Sequence, residues 1–316
     1  MAMKKSLIIL LGPTAVGKTD ISIKLARDLN CEIISADSMQ VYRYMNIGTA
    51  KISKSEMQGI PHHLIDVVDP DEDFSVSIFK DMAGKCIDDI LKRGKLPMVV
   101  GGTGLYINSL THSMDFSEAL EDPKYRRELI DLAHEKGNSY VHEMLKDVDH
   151  ESYVRLHEND LKRVIRALEV FKHTGKTISE YQKKSRDKPI EYNPCMVGLI
   201  MERQKLYSRV NERVDRMIKK GLVEEVKSLL EMGYDKNLTS MQGLGYKEMI
   251  SYLEGECSLE DAVYILKKNT RHFAKRQLTW FRREKSIKWV DVGEMDDRDN
   301  IVKNIEKYIA GKFNSI

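Results

Sequence analysis

Eight consecutive residues in the first part of the chain have the composition of a phosphate-binding loop, Gly12-Pro13-Thr14-Ala15-Val16-Gly17-Lys18-Thr19. They follow an apolar run at residues 6–11 and precede a helix-like segment at residues 20–29, the setting that such a loop requires. Glycines let the backbone point its amides inward, Lys18 supplies a cation, and the following helix adds its positive end. Thr19 has the hydroxyl that can bind Mg²⁺. The motif predicts a diphosphate or triphosphate site, without identifying the molecule that carries these groups.

Asp37 follows a short strand candidate at residues 32–36, in the sequence Ser35-Ala36-Asp37-Ser38-Met39-Gln40. An acid at the end of a buried strand can cap the chain, bind Mg²⁺ or act as a base, and its position alone favours the first two roles. Thr103 lies in a similar place, within the turn Gly101-Gly102-Thr103-Gly104. Glycine often serves such a turn for backbone reasons only, so this turn is weak evidence by itself.

Two adjacent histidines, His62 and His63, invite comparison with a metal site. Neighbouring residues point in different directions, and no third ligand has suitable spacing. We therefore predict a structural turn at this position.

Around these residues the chain alternates between strand and helix patterns. Strands are predicted at residues 6–11, 32–36, 96–100 and 193–201, and helices at residues 20–29, 74–93, 210–232 and 258–283. This order predicts an α/β fold with a parallel sheet flanked by helices, of the P-loop NTPase type. Ligands of such sheets bind at the carboxyl ends of the strands, where Asp37, the phosphate loop and the turn at residues 101–104 should converge.

A different pattern, of charged helices with few strand signals, occupies residues 116–189. It is acidic at first and becomes basic after Asp160. We predict an inserted all-helical domain here, with residues 1–115 and 190–316 forming the core.

The composition is that of an ordinary globular protein, with 316 residues of which 41% are hydrophobic and 32% charged. No run reaches the roughly 20 apolar residues of a membrane span, and the first residues lack a signal-peptide pattern. The expected location is the cytoplasm, with no membrane contact. The four cysteines (Cys31, Cys86, Cys195 and Cys257) form no CxxC pair, so we expect reduced, mostly buried thiols.

A net charge of only +2 conceals a cationic block late in the chain. Against one acid, Glu284, it contains nine basic residues: Lys267, Lys268, Arg271, Lys275, Arg276, Arg282, Arg283, Lys285 and Lys288. Interleaved aromatic residues suit contacts with a phosphate backbone and with bases. On a helix, one face would carry Lys268, Arg271, Lys275, Thr279 and Arg282, and another would carry Val263, Leu266, Thr270, Ala274, Leu278 and Phe281. The pattern favours a packed helix that offers a basic stripe to a polyanion, over a merely solvated helix face.

In their order along the chain, these segments resemble the tRNA dimethylallyltransferases. The similarity covers nearly the whole chain, through residues 12–19, 37–42, 46–51, 61–66, 101–106, 160–170, 243–248 and 270–282. The family transfers a dimethylallyl group from its diphosphate to the exocyclic N6 amine of the adenosine 3′ to the anticodon, with Mg²⁺ and release of pyrophosphate. Eukaryotic relatives often carry a zinc finger that is absent here, so the bacterial type is expected. Val16 stands where relatives often have a small residue, and we expect little effect because backbone amides do the binding.

The resemblance implies a role for each part of the site. Residues 12–19 would hold the diphosphate, with Lys18 and a Thr19-bound Mg²⁺ neutralising the leaving group without ATP hydrolysis. Asp37 would be the general base for the weakly nucleophilic adenine amine, with Thr103 as a hydrogen-bonding partner. Arg213 is a further candidate for contact with the diphosphate.

Because the target base is stacked in an anticodon loop, RNA contacts must surround the site when the base is taken out of the stack. The resemblance implies such contacts from Asp37, Ser38, Met39, Gln40 and Thr103, and from Arg126, Lys162, Arg163, Val164, Ile165 and Arg166 on the insertion. It also implies them from Gly243, Leu244, Gly245, Tyr246, Lys247, Glu248, Lys275, Arg276, Gln277, Thr279, Trp280 and Arg282. Arg163 and Arg166 could instead pair with Asp160 and Glu169 on a helix surface. We expect a monomer that binds the anticodon stem-loop.

Two other functions are compatible with the phosphate loop. A kinase would use Asp37 as the base for an acceptor hydroxyl and the insertion as a lid, but it leaves the basic helix unexplained. An RNA-binding module could use the loop as a nucleotide-controlled switch, although the Asn-Lys-x-Asp guanine signature of GTPases is absent from the sequence.

Overall fold

The computed structural model describes residues 4–114, 122–186, 190–293 and 298–313. Within these ranges six strands form one sheet: β1 Lys5–Leu11, β2 Cys31–Ala36, β3 His62–His63, β4 Leu96–Gly101, β5 Tyr192–Ile200 and β6 Lys288–Asp291. Their order is β3-β2-β4-β1-β5-β6, and every neighbouring pair is parallel. The predicted parallel α/β sheet is therefore confirmed.

Fourteen helices occur in the same ranges. In chain order they are α1 Lys18–Asp28, α2 Val76–Lys92, α3 Gly104–Thr111, α4 Pro123–Lys136, α5 Asn138–Glu143, α6 Leu145–Val148, α7 His150–Arg155, α8 Leu161–Thr174, α9 Ile178–Arg186, α10 Arg203–Lys219, α11 Leu222–Glu231, α12 Tyr246–Leu253, α13 Leu259–Phe281 and α14 Arg298–Phe313.

The central strand β1 shows why both faces of the sheet are covered. Side chains alternate between the two faces of a strand, so its five consecutive apolar residues serve both of them. Ile8 and Leu10 lie in one hydrophobic cluster with residues of α1 and α14, and Leu7, Ile9 and Leu11 lie in another with residues of α2 and α3. All five are at most 1% exposed.

The chain divides into two compact units, one made of Met1–Thr111 with Glu191–Ile316 and the other of His112–Ile190. The sheet belongs to the first unit. The second unit contains α4–α9 around its own apolar core, which includes Leu129, Val141, Leu145 and Leu168. The boundaries predicted at residues 116 and 189 lie outside the described residues.

Two local predictions were wrong. The helix predicted at residues 210–232 is interrupted, because α10 ends and α11 begins around Gly221, which has a φ of 95° that favours glycine. The turn predicted at His62 and His63 is instead the short strand β3, paired with β2. Its histidines are bound within the protein, since His62 Nδ1 donates to the carbonyl of Ile60 at 2.8 Å. Among the described residues, no group of three or more His, Cys, Asp or Glu side chains could hold a metal ion.

A buried carboxylate at the amino end of the sheet binds β2 to its surroundings. Glu32 is 3% exposed and accepts hydrogen bonds from Arg93 Nη2 at 2.6 Å and from His63 Nε2 at 2.8 Å. Lys95 Nζ is 3.1 Å from its other oxygen. Burial alone would raise the pKa of Glu32, but the bonds to Arg93, His63 and Lys95 outweigh it and lower the pKa to about 2.

We expect Glu32→Gln to lower the free energy of unfolding by about 1–3 kcal/mol at pH 7, because it removes charge-assisted hydrogen bonds from a buried site. The folded-state pKa is depressed, so this stabilisation is complete above about pH 4.5 and is lost as the pH falls toward 2. Urea unfolding of both proteins from pH 7 to pH 3 measures the difference. A constant difference across this range would contradict the assignment.

Candidate active site

The phosphate loop lies where β1 ends and α1 begins, as predicted. Lys18 is the first residue of α1, and its ammonium folds back over the loop to donate to the carbonyls of Gly12 and Pro13, both at 2.9 Å. The loop is closed by a bond from the amide of Val16 to the carbonyl of Pro13. Because the positive end of α1 and the Lys18 ammonium meet at this loop, its surroundings favour an anion.

A buried amide connects this loop with the neighbouring turn. Gln277 of α13 is 8% exposed, its Oε1 accepts from the amide of Thr14 at 2.8 Å, and its Nε2 donates to the carbonyl of Gly102 at 3.0 Å. Gln277 is among the residues predicted to contact tRNA, but both ends of its amide are bonded within the protein. Its position fixes the phosphate loop relative to the end of β4.

The predicted convergence of strand ends is confirmed, since Ala36 and Leu11 are both register partners of Gly101. Asp37 directly follows β2, is partly exposed, and accepts from the amide of Met39 at 2.9 Å through Oδ1. Thr103 bonds to the residue that follows Asp37: its Oγ1 accepts a hydrogen bond from the amide of Ser38 at 3.0 Å. The carboxylate of Asp37 therefore has a fixed orientation and stays accessible at the carboxyl edge of the sheet.

Two cations share this region with Asp37. Burial, and to a lesser degree the charge of Arg213, lower the pKa of Lys18 to about 7, whereas Asp37 acts in the opposite direction. Burial also lowers the pKa of Arg213, again opposed by Asp37. Removing charged groups from water is unfavourable unless an opposite charge compensates. One carboxylate faces two cations, so an added polyanion would be stabilised here.

Helix α10 supplies the arginines. Arg213 Nη2 donates to the carbonyl of Thr49 at 3.4 Å. One turn earlier, the guanidinium of Arg209 lies close to Gly17, 3.7 Å from the position that a Cβ there would take. Arg213 was predicted from the sequence and Arg209 was not, although a separation of four residues places both on one helix face.

Thr19 is the residue of the loop suited to a metal ion. It is exposed in the first turn of α1. Mg²⁺ keeps several waters and is bound through few protein groups plus substrate phosphates, so a hydroxyl beside a diphosphate site fits this ion. The donors present therefore suit a metal held mainly by the ligand.

Residues 243–248 divide between the interior and the surface. Tyr246 is 0% exposed, with its hydroxyl donating to Glu225 at 2.8 Å. Glu248 is 5% exposed and accepts from the amide of Gly245 and from Asn269. Gly245 is buried, Gly243 and Leu244 are partly buried, and Lys247 is exposed. Of the tRNA contacts predicted here, Lys247 has the most accessible side chain.

Helix α13 has the two faces predicted for it. Its apolar side is buried through Leu266, Ala274 and Phe281. Some of its cations are used internally, since Lys267 pairs with Asp215 at 2.6 Å and Arg271 donates to Asn211 at 2.7 Å. The exposed members of the predicted contact set are Lys275, Arg276, Thr279 and Arg282, with Trp280 partly buried. A basic surface therefore remains on the outer side of this helix.

In the second unit, the predicted contacts are partly engaged with each other. Arg126 pairs with the fully buried Glu169 through two bonds of 2.8 and 3.0 Å, and Arg166 contacts the same carboxylate at 2.5 Å. Arg163 pairs with Asp160 at 2.8 Å. The helix-surface pairing considered as an alternative is thus present. Val164 and Ile165 are buried in the core of this unit, while Lys162 and Arg163 are exposed.

The sequence matches two family models, described as IPP transferase over residues 40–284 and Isopentenyl transferase over residues 5–68. A curated protein of Acetivibrio thermocellus named tRNA dimethylallyltransferase is 53% identical over 96% of this chain and 97% of its own length. One of the same name from Alkaliphilus oremlandii is 54% identical over 99% of this chain and its whole length.

Solved structures of proteins with the same activity in their names also resemble this chain. The tRNA isopentenylpyrophosphate transferase of Bacillus halodurans superposes with a TM-score of 0.74 and 46% identity, covering 98% of this chain and 97% of that one. A eukaryotic dimethylallyltransferase described as acting on tRNA gives a TM-score of 0.80 at 30% identity, covering 99% of this chain and 80% of that one.

The lowered pKa of Lys18 leads to a prediction for anion binding. With a pKa of about 7, Lys18 loses its charge progressively as the pH rises above 7, whereas a bound diphosphate would favour the charged form. Binding of pyrophosphate should therefore take up a proton, and affinity should fall as the pH rises above 7. Calorimetry at pH 8 in two buffers of different ionisation enthalpy measures the uptake. Lys18→Met is the control for protons bound by pyrophosphate itself, and equal uptake by both proteins would contradict the prediction.

Proposed function

The chain belongs to the tRNA dimethylallyltransferase family, and on that premise we propose how it performs the transfer. Dimethylallyl diphosphate supplies the five-carbon group, and the acceptor is the N6 amine of the adenosine immediately 3′ to the anticodon. Pyrophosphate is released. The observation that carries the proposal is that two partly buried cations, Lys18 of α1 and Arg213 of α10, act electrostatically on the same carboxylate, Asp37, at the carboxyl edge of the sheet.

The cations act on the leaving group. An allylic diphosphate ionises readily once the charge that develops on its oxygen is stabilised, and preorganised donors in a water-poor site do this effectively. The amides of the phosphate loop, Lys18 and Arg213 provide these donors. Bonds to the carbonyls of Gly12 and Pro13 hold the Lys18 ammonium over the loop that would bind the diphosphate.

A magnesium ion held by Thr19 and the diphosphate would add Lewis-acid stabilisation of the leaving group when bound. Thr19 would contribute one hydroxyl ligand, and the diphosphate and water the rest. This arrangement is compatible with a loop that has no cluster of acidic ligands among the described residues.

Asp37 acts on the other substrate. The lone pair of an adenine amine is delocalised into the ring, so removal of a proton as the new bond forms assists the attack. Asp37 is partly exposed, and its Oδ1 is held by the amide of Met39. Thr103 orders the backbone next to it through Ser38. General-base assistance of this kind is worth about 10²–10⁴-fold in rate.

We propose that RNA contacts surround this site. Residues 37–40 and Thr103 contact the target base and its neighbours, while Lys247, Lys275, Arg276, Thr279, Trp280 and Arg282 contact the anticodon stem-loop. Lys162 and Arg163, with Arg126 and Arg166, serve the same RNA from the helical unit. Support comes from the exposure of Lys247, Lys275, Arg276 and Arg282, since neutralising phosphates needs accessible cations.

The protein is proposed to work in the cytoplasm as a monomer. Across the residues that the structure describes, no helix combines the length and apolar character needed to cross a membrane.

The deciding experiment incubates the purified protein with unmodified tRNA, Mg²⁺ and dimethylallyl diphosphate, followed by mass analysis of the nucleosides. A gain of one dimethylallyl group on adenosine supports the proposal. ATP serves as a parallel donor, and its consumption without any prenylated nucleoside would favour the kinase reaction instead.

We expect Asp37→Asn to lower kcat by about 10²–10⁴-fold, because the amide cannot accept the proton. The substituted side chain still has an oxygen for the amide of Met39, so the local fold should persist. Pyrophosphate and tRNA dissociation constants, measured alongside, should change little. An unchanged kcat would rule out Asp37 as the base.

Replacing Lys275 and Arg282 together with alanine should weaken tRNA binding and reduce its dependence on salt. Each lost phosphate contact reduces the slope of log K against log [salt] by about 0.7–0.9, so the double variant should lose roughly 1.5. Filter binding between 50 and 300 mM salt measures the slope. The control replaces Lys92 and Lys227 with alanine; both are exposed on other helices, and their removal should leave the slope unchanged. If the control variant reduced the slope as much as the α13 variant does, a specific RNA surface on α13 would be contradicted.

A further inference from the structure

Three consecutive backbone amides converge on one carboxylate beside the active site. The amides of Asn46 and Ile47 donate to Oε2 of Glu225, both at 2.8 Å, and the amide of Gly48 donates to Oε1 at 3.0 Å. Successive amides that point into one concavity form an anion site. Here the protein fills that site with its own side chain, from helix α11. These three amides belong to residues 46–50, the 46–50 loop.

The loop is clamped from a second side by Tyr246. The Tyr246 hydroxyl donates to the same Oε1 of Glu225 at 2.8 Å. Its ring lies so near Gly48 that a Cβ there would be 2.5 Å from Cε2, closer than any real contact allows. Just beyond the loop, Lys51 donates to the carbonyl of Tyr42 at 2.7 Å and pairs with Asp66. The loop is therefore fixed at both ends.

The other side of the loop faces the reacting groups. The carbonyl of Thr49 accepts from Arg213 Nη2 and from Gln40 Nε2, each at 3.4 Å. Gln40 in turn accepts from Ser35, two residues before Asp37. The guanidinium of Arg213 is thus oriented by a carbonyl whose position is set by the bonds to Glu225.

We propose that Glu225 is a positioning residue for the transfer reaction. It holds the 46–50 loop so that Thr49 directs Arg213 toward the diphosphate, and neither Glu225 nor Tyr246 contacts a substrate. The inference rests on the proposed function in one respect, that Arg213 binds the diphosphate.

The chemistry of the clamp explains why a carboxylate is needed. An ionised carboxylate only accepts hydrogen bonds, and its two oxygens take all four of the donors described above. A glutamine has one acceptor oxygen and would turn two donor hydrogens toward amides that also donate. Glu225→Gln should therefore release part of the loop while keeping the size of the side chain.

The test combines inorganic pyrophosphate binding with steady-state kinetics. Glu225→Gln should raise the dissociation constant of pyrophosphate and the KM for dimethylallyl diphosphate on the order of tenfold, as expected for losing one or two hydrogen bonds. The KM for tRNA should remain within about twofold, because the basic face of α13 is untouched. Tyr246→Phe removes one of the four hydrogen bonds to Glu225. It should raise the pyrophosphate dissociation constant and the KM for dimethylallyl diphosphate by a smaller factor.

Two matched variants separate positioning from stability. Glu224→Gln changes the preceding exposed glutamate and should leave every constant unchanged. Glu32→Gln removes another carboxylate with several partners, at the opposite end of the sheet, and should lower stability without altering either constant for the diphosphate. If Glu225→Gln lowers stability but leaves both constants at their original values, Glu225 serves the fold alone and the inference is overturned.

The remaining outcomes are also decisive. If Glu225→Gln does not fold, Tyr246→Phe decides, since unchanged constants in that variant overturn the inference and raised ones support it. A wild-type protein that binds pyrophosphate but prenylates no tRNA would refute the proposed function. The pyrophosphate measurements would still show whether Glu225 positions the anion site.

Discussion

The arrangement of this protein depends on holding two partly buried cations, Lys18 and Arg213, beside a single carboxylate. Lys18 and Arg213 both have lowered pKa values because of burial, and Asp37 offsets only part of that unfavourable energy. A bound diphosphate would add negative charge beside these cations and offset the unfavourable energy of their burial, which favours binding of the leaving group.

Polar groups near the site fall into two classes according to where their hydrogen bonds go. Gln277, Tyr246 and Glu248 lie in segments expected to contact RNA, yet their side chains are buried and bonded within the protein. Lys247, Lys275, Arg276 and Arg282 lie in the same two segments with exposed side chains. One short stretch of chain thus orders the catalytic loops with its inner face and offers charge to a polyanion with its outer face, as the period of a helix allows.

The sequence was most informative where chemistry and local structure coincide. The phosphate loop and Asp37 each follow a buried strand, so short-range pattern and the rule for parallel sheets were enough to bring them together. The internal roles of Gln277 and Glu225 could not be predicted this way, because their partners lie 263 and 179 residues away and either side chain would suit a solvated surface equally well. Val164 and Ile165 illustrate a different limit. They were predicted to contact tRNA together with Lys162, Arg163 and Arg166, although the helical period separates buried from exposed positions within this stretch.

The Gln277 bridge has a consequence for how this sequence can vary. Its amide must present an acceptor to Thr14 and a donor to Gly102 at the same time, so α13 is locked in both rotation and axial position. An insertion or deletion of one residue between Ser258 and Gln277 would turn the amide by about 100° around the helix axis and separate it from both loops. Outward-facing positions of α13 are free to change identity, but the length of the helix before Gln277 is not free to change. Homologous chains should therefore drift in composition along this helix while conserving its residue count.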